Sequence, residues 1–304
     1  MTEPDASAPT KEDSPEDTAA PKRKARHARR MDRGMLIGIA IIVIGACILF
    51  YPLVMQLINQ HQENQVVETY NEQVDSLSND AKQQMLEAAH EYNERLYETG
   101  VTAYPLGSTN SDLDQEYQGQ LGYAGMMGTI SIPAISLNLP IYHGTTDAAL
   151  EAGAGHLYGT SLPVGGANTH AVIAAHRGIP TALMFTRLGE VKIGDTFYIT
   201  VLGERLAYRV DQIKVVEPDD TSLFTIEPGK DYVSLLTCTP YGQNTQRLVV
   251  RGVRIPDSEV PATLDPDVGL YPVGYFAVLS LIVVACVIAA VKIRNKRKVA
   301  RRKH

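Results

Sequence analysis

The chain has 304 residues, three of them cysteines, and 28 Lys and Arg against 34 Asp and Glu, a formal net charge of −6. Its charge is segregated: residues 1–34 and 292–304 hold eight basic residues each, leaving 12 basic against 27 acidic in between. A length of one or two domains with so acidic a middle excludes a nucleic-acid binder, which needs a basic face. Because Cys47 and Cys286 fall in long apolar runs, Cys238 has no intramolecular disulfide partner in the middle region.

Residues 1–21 are rich in Pro, Ala, Ser, Thr and acids and predict disorder. With the basic cluster Lys22 to Arg33 they make 1–34 a disordered basic cytoplasmic tail. Met35 to Val54 is uncharged and long enough to cross a bilayer core of about 30 Å, so 35–55 reads as a transmembrane helix. The residues after it, Met55-Gln-Leu-Ile-Asn-Gln-His61, offer no pair of small residues for signal cleavage, so the anchor is retained. Val268 to Val291 is a second uncharged run, read as a transmembrane helix over 268–291. Basic flanks stay cytoplasmic, so both termini, including the tail 292–304, belong inside and 55–267 outside the cell membrane.

Val66, Tyr70, Val74, Leu77, Ala81, Met85, Ala88, Tyr92 and Leu96 recur at helical spacing and predict one long amphipathic stalk over 56–98. Residues 99–123 are polar and irregular, a loop long enough to suggest a function of its own. Short strand-like runs then follow at 128–133, 137–142, 170–175, 196–202, 206–216, 232–237 and 247–255, the pattern of a barrel or sandwich over 124–256. Short helices fit Asp147–Ala152 and Thr181–Leu188, and a Pro- and Asp-rich linker, 257–267, leads back to the membrane.

The chemistry gathers between Ser234 and Gly252. A strand ends at Cys238, Pro240-Tyr241-Gly242 turns the chain, and the returning strand opens with Arg247. A permanent cation beside a thiol favours the nucleophilic thiolate and offers donors to an oxyanion. The histidine that such chemistry needs is best supplied by His176, which ends the run Ala171-Val-Ile-Ala-Ala175. His143 and His156 read as structural, and the outer histidines lack the close spacing of a metal site, so neither metal nor cofactor is expected.

Ser-Leu-Leu-Thr-Cys (234–238) with Arg247, Ala-Ala-His-Arg-Gly (174–178) and Gly-Thr-Ser-Leu-Pro-Val-Gly-Gly (159–166) resemble class C, pilus-assembling sortases, over roughly Tyr92 to Ile255. The resemblance implies a mainly β fold: an eight-stranded sortase-type barrel with short helices, preceded by the amphipathic helix and flanked by the two transmembrane helices. It implies a cysteine transpeptidase of the Gram-positive cell surface. Cys238 would cleave an LPxTG-like sorting signal after its Thr and hold the acyl group as a thioester, His176 would move the protons, and Arg247 would stabilise the oxyanion. The acceptor in class C is a lysine amine of the next pilin. The alternatives are a cell-wall peptide amine, used to anchor surface proteins, or a non-catalytic membrane scaffold that binds sorting signals. Thr237, Thr239 and His170 are site-shaping candidates. Class C members carry a lid in the region 99–123, usually with an Asp-Pro-aromatic anchor. Here no Asp precedes a Pro, and Asp112, Asp114 and Tyr117 are the lid candidates.

Overall fold

The computed structural model describes residues 33–100, 103–108, 110–260 and 292. The second apolar run, its linker beyond residue 260, Cys286 and the tails at 1–32 and 293–304 lie outside the described residues. The chain divides into two compact units, Met1–Val43 and Ile44–His304. In the first, the described residues are the opening turns of helix α1 (Arg33–Asp75). In the second, α1 continues, and its apolar stretch around Ile44 and Ile48 is exposed, as a helix facing lipid would be. Among the described residues, α1 is long and apolar enough to cross a membrane.

The single stalk helix expected over 56–98 is two helices. Beyond Asp75 the Ser76 hydroxyl bonds back to the Gln73 carbonyl at 2.5 Å, and Ser78 caps a new helix, α2 (Asn79–Thr99), by accepting from the Ala81 N–H. Serines compete with helix backbone for hydrogen bonds in this way, which ends one helix and starts the next. The predicted apolar face is kept in part: Tyr70, Val74, Tyr92 and Leu96 are buried in the main core, while the expected Ala88 is exposed and its neighbour Ala89 is buried instead.

Short helices α3 (Asn110–Leu113), α4 (Gln115–Gly119) and α5 (Asp147–Ala152) surround an eight-stranded barrel. Its strands are β1 (Gly128–Ile132), β2 (Leu137–His143), β3 (Ala154–His156), β4 (Thr169–Ala174), β5 (Thr196–Val201), β6 (Glu204–Val216), β7 (Asp231–Thr239) and β8 (Gln246–Ile255). They close in the order β1-β2-β3-β4-β7-β8-β6-β5, with β2/β3 and β4/β7 parallel and the other pairs antiparallel. The helix expected at Thr181–Leu188 is a run of tight 3₁₀ turns over Met184–Glu190.

Alternation sorts the side chains of β4, β7 and β8. Ala171, Ile173, Ala175, Val233, Leu235, Leu248 and Val250 fill the interior. Val172, Ala174, Leu236 and Val249 form a second apolar cluster on the outer face with Leu150, Leu157 and Phe224. Inside, the Phe197 ring lies so close to Gly252 that a Cβ there would come within 2.5 Å of it, so only glycine fits.

Candidate active site

β7 and β8 place Cys238 directly opposite Arg247. Directly opposed residues of an antiparallel pair project from the same face with their Cβ atoms about 5 Å apart. That face is the outer one, since Cys238 lies two residues beyond Leu236 and Arg247 two before Val249. His176 follows the end of β4: the parallel register aligns Ala174 with Leu236, the Ala175 N–H still bonds the Leu236 carbonyl, and His176 lies two residues beyond Ala174 as Cys238 lies two beyond Leu236. Three adjacent strands thus bring the thiol, the imidazole and the guanidinium to one end of the same apolar outer face. The thiol of Cys238 is half-buried.

Local bonds hold each of them. The Phe185 N–H donates to the His176 carbonyl at 2.9 Å, and the Gly178 N–H to Thr186 Oγ1 at 3.1 Å. Arg247 Nη1 donates to the carbonyls of Asn244 and Gln246 at 3.2 and 3.1 Å. Its Nε is buried with no partner, a donor held in place beside the thiol strand.

The chain also matches known proteins. Residues 130–255 match the sortase domain model. Over 97% of its length, the solved sortase C1 of GBS pilus island 1 is 41% identical to 67% of this chain, with a TM-score of 0.61. The chain belongs to the sortase family. It is thereby a cysteine transpeptidase. Sortase A of Listeria monocytogenes is 28% identical over 218 residues, covering 71% of this chain and 89% of that one. Sortase D of Bacillus subtilis is 32% identical over 131 residues, and there the match spans 63% of that protein and 42% of this one.

The remaining candidates of this sortase are dispersed. Thr237 is buried, facing inward, and its hydroxyl donates to the Ala175 carbonyl at 2.8 Å, tying β7 to the His176 segment. Thr239 Oγ1 accepts from Arg177 Nη1 at 2.9 Å. His170 shares the outer face with His176 but sits at the opposite end of β4, fully buried between Ser234 Oγ (2.8 Å) and the Thr225 carbonyl (3.0 Å). Burial pushes its pKa down to about 4.

Asp112, Asp114 and Tyr117 make no hydrogen bond to Cys238, His176 or Arg247 among the described residues. Asp112 accepts from the Ser111 hydroxyl at 3.2 Å. Asp114 caps α4 and accepts from the Tyr158 hydroxyl at 2.7 Å. Burial acts to raise its carboxyl, but donors from Tyr117, Tyr158 and Glu116 outweigh it and hold the pKa low. Tyr117 is fully buried: its hydroxyl lies 2.9 Å from His156 Nδ1 and accepts from the Gly144 N–H at 2.9 Å. His156 Nε2 bonds the Ser161 carbonyl at 2.8 Å, so the ring is neutral with its proton on Nε2, and burial lowers its pKa to about 4. His143 Nε2 lies 2.7 Å from the Gln120 carbonyl, consistent with a structural reading of both histidines.

The part of the 99–123 region that meets the outer face is a different one. Ala103 and Leu106 pack against the cluster containing Ala174, Leu236 and Val249. The Tyr104 N–H donates to the Tyr158 carbonyl and the Gly107 N–H to Thr145 Oγ1, both at 3.0 Å. The signal for these residues was the short run Ala103-Tyr-Pro-Leu106 in a largely polar stretch.

Proposed function

We propose that this sortase is a two-pass membrane enzyme with both termini cytoplasmic, and that Cys238 is its nucleophile. The Cys238 sulfur attacks the Thr carbonyl of an LPxTG-like signal. As the S–C bond forms and the C–N bond breaks, His176 gives its proton to the departing amine. It then takes one from the incoming amine, a pilin lysine, so that attack on the thioester forms an isopeptide bond and frees the thiol. Arg247 presents a charged, planar set of donors to the oxyanion of both steps.

The observation that carries this reading is the placement of Cys238, His176 and Arg247 on one face at the ends of three neighbouring strands. Similarity to a pilus-island sortase supports the pilin acceptor. The apolar face leading up to Cys238 suits the Leu and Pro of the signal, and residues 103–108, whose Ala103 and Leu106 pack against the cluster on that face, act as a lid.

Full-length protein in detergent, given a fluorogenic Leu-Pro-x-Thr-Gly peptide and hydroxylamine, tests the reaction. Wild type should release the Gly side and leave a hydroxamate on the Thr, while Cys238→Ala should do neither. Cleavage that survives in Cys238→Ala would remove the thiol from the mechanism. Replacing hydroxylamine with a pilin fragment or a cell-wall peptide identifies the acceptor.

A further inference from the structure

The parallel ladder between β4 and β7 stops just before the reacting pair. Its last rung is the Ala175 N–H on the Leu236 carbonyl at 3.1 Å. Continued, the parallel pattern would pair the Cys238 N–H with the Ala175 carbonyl and then the Arg177 N–H with the Cys238 carbonyl. Among the described residues neither backbone bond is made, and the Ala175 carbonyl accepts from the Thr237 hydroxyl. The Cys238 carbonyl instead meets the side chain of Arg177: Nη1 lies 3.4 Å from it and 2.9 Å from Thr239 Oγ1. The Arg177 guanidinium thus takes over the acceptor that the ladder leaves without a backbone donor, at the level of Cys238.

The side chain is fixed on its other edges. Nη2 rests against Gly189, where an added Cβ would lie 3.4 Å away, and Nε is buried without a partner. Arg177 forms no ion pair among the described residues, so it is not a surface cation neutralised by a carboxylate. Its neighbours are also anchored, His176 through Phe185 and Gly178 through Thr186, so side-chain movement cannot be absorbed by the backbone.

We propose that Arg177 is a positioning residue that ties the segment after β4 to the end of β7 and thereby sets the separation of His176 from Cys238. The inference rests on the proposed roles of those two residues.

Two readouts test it in full-length protein. In the cleavage assay, Arg177→Met should lower kcat by about 10- to 100-fold, the cost of misplacing reacting groups by about an ångström, with KM changed less than about threefold. Arg177→Lys keeps the charge but cannot span both acceptors, and should recover only part of the rate. The second readout needs no substrate. With Cys47→Ser, Cys286→Ser and His176→Cys in place, the rate of disulfide closure onto Cys238 reports the separation directly. Arg177→Met, or Arg177→Lys should the former not fold, should change that rate at least about threefold. Unchanged closure together with wild-type kcat overturns the tie. Altered closure in a protein whose wild type does not cleave the peptide sustains the tie and removes the proposed reaction.

Discussion

Replacing Arg247 with Ala should lower kcat for peptide cleavage by about 10²- to 10³-fold, as expected on loss of one oxyanion donor, with a smaller change in KM. Steady-state kinetics on the purified variant checks this, and a change confined to KM would assign Arg247 to ground-state binding. A second prediction concerns His156 and His170, whose pKa values fall from 6.5 to about 4 on burial. A depressed histidine pKa means that the unfolded chain binds the proton more readily. The stability contributed is therefore complete above pH 6.5 and is lost as pH falls toward 4, by up to about 3 kcal/mol for each histidine. Thermal melts at pH 7.5 and pH 5 should show a lower Tm at the acidic value, and His156→Gln should flatten the difference. Cys238, His176 and Arg247 were legible as candidates because each residue type has a chemical reason to lie at a strand end near the others. Arg177 was not, because the role proposed for it rests on rungs the ladder omits, and only the register of two strands distant in sequence reveals them.

Among the elements, the region 99–123 separates into two parts with opposite expectations. Tyr117 supports the fold: Tyr117→Ala opens a cavity and strands the Gly144 N–H and His156 Nδ1, at a cost of about 3–5 kcal/mol measurable by denaturant unfolding. Leu106 is half-buried on the outer apolar face, so Leu106→Ser should raise the rate of peptide cleavage several-fold while costing less stability. A rate that does not rise would show that residues 103–108 do not close the site. Seven of the eight strands could be read from alternation and β-branched residues, and α5 from its caps. β3 could not, since Ala154-Gly-His156 carries no strand signal and pairs because its neighbours present open edges on both sides. The break at Ser76–Ser78 was hidden for a different reason: apolar spacing continues across it, while the serine bonds that end the helix are local.

For the whole molecule, the segregated charge leads to a prediction of topology. Reporter groups fused at residue 1 and after residue 304 should both be protected from protease in intact cells, and one inserted at Asp219 in the exposed β6–β7 connection should be cleaved. The barrel itself depends on a distant closure. Cys238 and Arg247 sit on one hairpin and meet as soon as β7 and β8 pair. His176 reaches them only when β4 docks on β7, across 62 residues that include β5 and β6. Contacts that close long loops form late and slowly during folding. A partly folded chain therefore carries its thiol beside an arginine but without the proton carrier we propose, and regain of activity during refolding should time the docking of β4, not the formation of the hairpin.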